Sequence, residues 1–324
     1  MIIPLRQGPG SSCLNAFSKI LSIGVKNVKN NAAQRGALAA IIFSMTLFGT
    51  IGLFVRWIPL PSATVALVRG AVGTVFLLAW GKLKGLKPDA AAVKKNLPLL
   101  CVSGAAIGFI WILLFESYRY TTVSTATLCY YMAPVLITMA SPLVCGERLT
   151  ARRLACVAAA VLGMALVSGV IPGGGLPAGQ GKGVLLGLGA AVRYATVILL
   201  NKRISGLEAA PRTMLQLAAA AVVLVPYVLV TGVTDADGWG SLPLTLVLLA
   251  VVGVLHTGFA YKLYFGSIQV LPVQTAAMLS YIDPVVAILL SALLLREAMS
   301  LPQALGAVLV LGSALVGELP GKKR

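Results

Sequence analysis

The chain has 324 residues, of which 58% are hydrophobic and only 11% are charged, and its mean hydropathy is +0.94. Soluble domains hold about 45–50% apolar and about 25% charged residues, so this composition excludes an ordinary soluble protein and indicates a polytopic membrane protein. The formal net charge of +17 is explained by the positive-inside rule, not by nucleic-acid binding.

Ten hydrophobic spans are predicted along the chain, each near the roughly 20 residues that cross a bilayer. The connections between them are short, so no loop is long enough to fold as an extramembrane domain. The predicted fold class is therefore all-α, with ten transmembrane helices. In chain order the spans are 37–57, 62–81, 97–117, 121–143, 154–171, 183–203, 213–232, 243–266, 271–294 and 303–317.

Lysine and arginine are distributed unequally between the two sides of these spans. With the amino terminus in the cytosol, nineteen of the 26 lie on the cytosolic side and four outside. The other three, Arg69, Arg193 and Lys262, lie within spans. Because positive charge is retained in cytosolic loops, both termini are predicted to be cytosolic and the protein to lie in the cytoplasmic (inner) membrane. A basic leader (1–35) and a basic tail (319–324) then face the cytosol.

The chain repeats itself once, at an offset of 150 residues. A repeat this long marks a duplicated half-molecule, and the predicted halves are 36–171 and 183–318, joined by an outward-facing linker at 172–182. Each half has five spans, an odd number, so the second half enters the membrane from the opposite face. Two inverted halves around a midplane site are typical of secondary transporters. The repeated residues are Gly108, Trp111, Phe115, Ser117, Thr125, Tyr131, Pro134 and Glu147, matched by Gly258, Tyr261, Phe265, Ser267, Thr275, Tyr281, Pro284 and Glu297.

Each half ends in an aromatic residue, a proline and a short acidic turn. In the first half these are Tyr131-Met-Ala-Pro134 and Gly146-Glu-Arg-Leu149; in the second they are Tyr281-Ile-Asp-Pro284 and Arg296-Glu-Ala-Met299. Paired at constant spacing, they resemble the ten-helix EamA branch of the drug/metabolite transporter superfamily, over about residues 36–318. The second half departs from the family pattern at Arg296, where glycine is usual.

The resemblance implies a secondary transporter, not an enzyme, that moves a small metabolite such as an amino acid, an amine or an amphipathic drug-like compound. It implies export through a cavity between the halves by alternating access, and it implies no single substrate. The glutamate through which small four-helix relatives couple protons has no counterpart in span 1. Protons stay a candidate coupling ion, and a monomer and a homodimer are both compatible with the sequence.

Three polar residues are predicted at the midplane: Arg193 in span 6, His256 in span 8 and Asp283 in span 9. Asp283 directly precedes Pro284, which removes a backbone donor and opens the helix at that point. We hypothesise that Asp283 binds a cationic group of the substrate or carries a proton. The alternative is a fixed ion pair between Asp283 and Arg193 that joins spans 9 and 6.

His256 is the chain's single histidine. A proton relay is one interpretation, because histidine ordinarily titrates near physiological pH; a neutral histidine hydrogen-bonded between helices is the favoured one. No metal site is predicted, since no ligand set accompanies this histidine. No cofactor is predicted either: the glycine-rich segment 173–182 lacks the glycine and the Ser or Thr of a Walker A motif.

The remaining candidates are a charge pair and the residues of helical stripes. Arg69 and Glu116 lie toward the outer side of spans 2 and 3 and are predicted to form a salt bridge or an outer gate; Glu116 is also three residues from Arg119. Polar and aromatic stripes in membrane helices face a cavity or pack on another helix. The candidate substrate-binding residues on such stripes are Trp111, Thr127, Tyr131, Tyr261, Gln274 and Tyr281, with Pro134 and Pro284 as helix breaks.

Two other classes of membrane protein stay open at this point. A lipid scramblase or flippase predicts flux without saturation or exchange, whereas a carrier saturates and exchanges. A membrane-embedded enzyme acting on a lipid predicts turnover of that lipid, but no nucleophile and base can be placed together from the sequence.

Overall fold

The computed structural model describes residues 32–85, 89–145, 151–167, 179–201, 203–231, 242–268, 270–271, 275–276, 279–297 and 299–318. Most of the predicted leader (1–31), most of the linker (172–178) and the tail lie outside these residues. Within them every regular element is helical. The helices are α1 (Ala32–Trp57), α2 (Ser62–Leu83), α3 (Ala90–Tyr120), α4 (Val123–Tyr130), α5 (Ala133–Cys145), α6 (Ala151–Val167), α7 (Gln180–Asn201), α8 (Ala209–Thr231), α9 (Leu242–Ala250), α10 (Ala260–Ile268), α11 (Ile282–Leu294) and α12 (Leu301–Glu318), with a π-helical segment (Val251–Phe259) between α9 and α10.

The described helices account for all ten predicted spans. Seven are long and apolar enough to cross a membrane: α1, α2, α3, α4 with the start of α5, α7, α8, and the continuous α9–π–α10. Three shorter apolar helices, within α6, α11 and α12, stand at spans 5, 9 and 10. The outer surface carries large apolar side chains, such as Leu229, Val230 and Leu293, which suits contact with lipid. The chain is an all-α polytopic membrane protein.

Helix packing follows the duplication. α3 packs on α7 and α8, and its counterpart in the second half, the π-helical segment with α10, packs on α1 and α2. In the same way α4 lies against α7, and α11 lies against α1. The α2–α8 and α6–α12 pairs each join a helix to its own counterpart. Each half therefore packs mainly on the other half, and the space between the halves is lined by helices from both.

α6 and α12 meet through glycine. A Cβ atom built on Gly163 would lie 2.7 Å from the Gly306 carbonyl oxygen, and one built on Gly306 would lie 2.5 Å from that of Gly163. Only glycine permits two helix backbones to approach so closely. Small residues thus permit the close packing of spans 5 and 10.

Both halves interrupt a helix at the repeated tyrosine–proline motif. In the first half α4 ends at Tyr130 and α5 begins at Ala133, one residue before Pro134. In the second half α11 begins at Ile282, two residues before Pro284. A proline in the first turn is tolerated because its missing N–H would have no intrahelical partner there.

The turn after α11 contains the residue that departs from the family pattern. Arg296 has a φ angle of +54°, in the left-handed region that glycine adopts without strain. The next helix, α12, begins with a capping box. The Ser300 N–H donates to the Gln303 side-chain oxygen at 2.9 Å, and the Gln303 N–H reaches the Ser300 hydroxyl at 3.4 Å.

Candidate functional site between the two halves

The two helix interruptions meet through a hydrogen bond between the halves. The Tyr131 hydroxyl, at the end of α4, donates to Oδ2 of Asp283 in the first turn of α11 at 2.7 Å. The same hydroxyl lies 3.4 Å from the Ser280 carbonyl oxygen. Pro284 deprives that carbonyl of its helical donor, and the Asp283 N–H reaches it instead at 3.3 Å. Tyr131 therefore donates to the carboxylate directly beside the helix interruption.

Tyrosine rings surround this hydrogen bond. Tyr131 lies 6.1 Å from its repeat counterpart Tyr281 and 5.7 Å from Tyr130, measured between ring centroids. Tyr130 in turn lies 5.3 Å from Tyr194 of α7. Phenol rings present an apolar face and a polar hydroxyl, so this wall suits a solute that carries both kinds of group.

Arg69 of α2 lies in the same region rather than at an outer salt bridge. Its Nε donates to the Thr257 hydroxyl at 2.8 Å, and its guanidinium carbon stands 4.4 Å from the centroid of the Trp111 ring. Only 5% of the residue is exposed. Arg69 forms no ion pair with Asp283.

The π-helical segment holds two residues of the site. His256 accepts or donates at Nε2 with the Thr50 hydroxyl of α1 at 2.7 Å, and its Nδ1 lies 3.2 Å from the Val251 carbonyl oxygen. The next residue, Thr257, accepts from Arg69. This arrangement fits the favoured interpretation of His256 as a histidine hydrogen-bonded between helices. Wide turns of this type are frequent at functional sites.

Two charge pairs that the sequence raised are not formed. The first, the pair of Arg193 with Asp283, was the alternative to a functional Asp283. The Arg193 side chain lies on the exposed surface of α7 and makes no ion pair with Asp283. The predicted pair of Arg69 with Glu116 is also wrong. Glu116 instead accepts from the Ser62 hydroxyl at 2.7 Å and pairs with Arg119 at 3.8 Å, the spacing that the sequence indicated.

The other candidates divide into wall residues and one residue that the structure does not describe. Trp111, Thr127 and Tyr281 are buried, and Tyr261 stacks on Phe265 at 5.7 Å between ring centroids. Tyr261 also contacts Phe48 of α1 at 5.2 Å. Gln274 lies outside the described residues. Of these residues, Trp111 contacts Arg69, and Tyr281 lies beside the Tyr131 that donates to Asp283.

Comparison with known proteins decides the family. Residues 34–169 and 181–316 each match the EamA-like transporter family, so both halves of the chain carry the family's repeat. The chain belongs to the EamA-like transporter family. It is therefore a transporter of a small molecule, embedded in a lipid bilayer as a multi-pass protein, as its resemblance to the family implied.

Relatives of this EamA-like transporter share its length. The uncharacterized transporter YxxF of Bacillus subtilis (strain 168) is 30% identical over 280 residues, 85% of this chain and 86% of that relative. The threonine/homoserine exporter RhtA of Escherichia coli (strain K12) is 28% identical over 265 residues, 78% of this chain and 81% of RhtA. A crystal structure of a protein 21% identical covers 88% of this chain and 97% of its own, with a TM-score of 0.60, and shows the same fold.

A second tie between the halves of the EamA-like transporter lies at the end predicted to be extracellular. We call it the outer latch and define it as Arg56, Val123, Ser291 and Glu297. Glu297 pairs with Arg56 of α1 at 3.1 Å, accepts from the Val123 N–H at 2.9 Å and accepts from the Ser291 hydroxyl. One carboxylate of the second half thereby holds α1 and caps α4 of the first.

Glu297→Gln is expected to lower the free energy of unfolding by about 1 kcal/mol, because a neutral amide caps the α4 N-terminus less strongly and no longer pairs with Arg56. Glu116→Gln is the matched control. Its pair with Arg119 is longer and more exposed, so its loss is expected to cost less than about 0.5 kcal/mol. Thermal unfolding of the two purified variants measures the difference, and an equal loss in both contradicts the latch.

Several residues of the EamA-like transporter's site escaped the sequence analysis. Tyr130 and Tyr194 stand beside Tyr131, and Thr257 holds Arg69. Tyr130 carried a weak signal, since it neighbours the repeated tyrosine. Thr257 carried one too, because it precedes the repeated Gly258. For Tyr194 we find no signal in the sequence that separates it from a packing residue.

Proposed function

We propose that this transporter is a secondary active exporter of a small amine-bearing metabolite, such as an amino acid, an amine or an amphipathic cation. In this proposal it lies in the cytoplasmic membrane with both termini in the cytosol. The exported compound binds between the halves, its cationic group on the Asp283 carboxylate, and the two inverted halves rock about this point to give alternating access.

The observation that carries the proposal is the position of Asp283. Its carboxylate lies between the halves, accepts from Tyr131 of the opposite half, and has no ion-pair partner among the described residues. Ionisable groups within membrane proteins are costly and mark substrate or proton pathways by default. A carboxylate at a flexible helix interruption can exchange its hydrogen-bond partner as the halves move, so Asp283 is also the proposed proton carrier.

The polar ties on either side of Asp283 support alternating access. The outer latch joins the halves at one end. At the other end, Gln216 of α8 donates to the Ser103 hydroxyl of α3 at 2.6 Å and to the Asn201 side-chain oxygen of α7 at 2.7 Å. Both ties are short polar contacts, so breaking one while keeping the other opens the site to one side only.

Counterflow in reconstituted liposomes tests this function. Vesicles preloaded with an unlabelled amino acid or amine are expected to take up the labelled compound transiently, with a rate that saturates and rises with the internal concentration. Flux that neither saturates nor exchanges points instead to a channel or scramblase and contradicts the proposal. Empty liposomes and the Asp283→Asn variant are the controls.

A further inference from the structure

Arg69 is a buried cation that has no carboxylate partner among the described residues. Only 5% of the residue is exposed, and no described acidic residue forms an ion pair with it. Its Nε bonds to Thr257, while its two terminal nitrogens donate to none of the described residues. A buried charge is costly unless it is paired. This guanidinium is therefore suited to bind an anionic group of a ligand.

The contacts that Arg69 does make fix its orientation. Thr257 holds the Nε edge at 2.8 Å, and the Trp111 ring covers one face of the guanidinium at 4.4 Å. Phe115 lies on the same side at 5.7 Å from its ring centroid. With one edge and one face occupied, the terminal nitrogens present the fork that binds a carboxylate through two parallel hydrogen bonds.

Asp283 supplies the opposite charge in the same region. Tyr131 donates to one of its oxygens, and no described cation lies within ion-pair distance of either oxygen. Arg69 and Asp283 both lie beside one turn of α1. A Cβ atom built on Gly49 would stand 2.6 Å from the Asp283 carbonyl oxygen, and the next residue, Thr50, bonds His256, the neighbour of the Thr257 that holds Arg69. The two charges are therefore near each other without forming an ion pair.

We infer that the site binds a zwitterion, with the carboxylate of the substrate on Arg69 and its ammonium group on Asp283. This inference rests on the proposed function and narrows its substrate class to amino acids with both groups free. A simple amine leaves Arg69 without a partner, and an anion without an amine leaves Asp283 without one. A zwitterion satisfies both charges at once and is neutral overall, which lowers the cost of carrying it through the membrane.

The test compares three forms of one compound on the full-length protein. Threonine and tryptophan are each measured beside the corresponding decarboxylated amine and N-acetyl derivative, by competition against counterflow. The wild type is expected to prefer the free amino acid over both derivatives by about 10–100-fold, the value of a hydrogen bond to a charged group. Arg69→Gln is expected to remove the preference over the amine while the weak affinity for the amine stays within about threefold.

Two further variants keep the test decisive. Arg69→Lys retains the charge without the fork and is expected to restore part of the preference. Arg193→Gln is the matched control, because it removes an arginine from the exposed surface of α7, and it is expected to leave the preference unchanged. If Arg69→Gln does not fold, the comparison of amino acid and amine on the wild type still decides whether the site requires the substrate carboxylate.

The outcomes separate this inference from the proposed function. If amines exchange as well as amino acids, or if Arg69→Gln weakens both equally, the inference is overturned and the proposed exporter of amine-bearing compounds stands. If neither amines nor amino acids exchange, both are overturned. A preference for the free amino acid that depends on Arg69 supports the zwitterion site.

Discussion

Asp283→Asn is expected to reduce exchange transport in reconstituted liposomes by at least about 30-fold, because removing one partner of a buried charge contact costs about 2–5 kcal/mol. Asparagine keeps the volume of the side chain and an oxygen that can accept from Tyr131. The fold is therefore expected to persist while the negative charge is lost. The measurement is the initial rate of counterflow at equal protein content, with the unfolding temperature recorded beside it.

Glu116→Gln is the control for Asp283→Asn. It also neutralises a carboxylate, but one that pairs with Arg119 and Ser62 at the end of the bundle away from Asp283. Its transport rate is expected to stay within about twofold of the wild type. Normal folding and undiminished transport in Asp283→Asn make Asp283 a structural residue and contradict the proposed site.

Gly306→Ala is expected to lower the free energy of unfolding by about 1–3 kcal/mol, the usual cost of overpacking. The added methyl group would stand 2.5 Å from the Gly163 carbonyl oxygen and 2.9 Å from the Val167 side chain. A backbone carbonyl within a helix has little freedom to move aside, so α6 and α12 must separate. Thermal unfolding in detergent measures the loss.

Gly312→Ala is the control for Gly306→Ala, because both glycines lie in α12. A Cβ atom on Gly312 meets nothing within 4 Å. Alanine is the better helix former by up to about 1 kcal/mol, so this variant is expected to unfold at the same or a higher temperature. If both substitutions destabilise equally, the α6–α12 contact does not depend on close backbone approach.

The fold was predictable because the duplication is visible as residues that repeat at a constant offset in the sequence. The offset of 150 residues identified the halves, and hydropathy identified the ten spans. Asp283 was singled out as a candidate from the sequence, since a carboxylate beside a proline within an apolar span has few structural explanations. The capping box at Ser300 depends only on Ser300 and Gln303 at a spacing of three residues, which is local information in the sequence.

The partners of the charged residues were not predictable from one sequence. The choice of partner for Arg69 and Arg193 depends on the rotation of each helix and on which helices are neighbours. α7 is apolar on several sides, so its sequence does not show that Arg193 points outward. In α2, Gly70 and Gly73 lie on the side of the helix that approaches Trp111 and Thr257. These glycines do not identify the partners of Arg69 until the neighbouring helices are known.

The most direct measurement of the central claim is ligand-induced stabilisation of the purified protein and of Asp283→Asn in parallel. A ligand at about one hundred times its dissociation constant stabilises by about 2.7 kcal/mol, which gives a measurable rise in unfolding temperature. Amino acids, amines, nucleosides and cationic drugs form the panel. We expect an amine-bearing compound to stabilise the wild type and Glu116→Gln but not Asp283→Asn. Two results would contradict a substrate site at Asp283. One is that the same compound stabilises Asp283→Asn as much as the wild type, and the other is that only compounds lacking an amine stabilise the wild type.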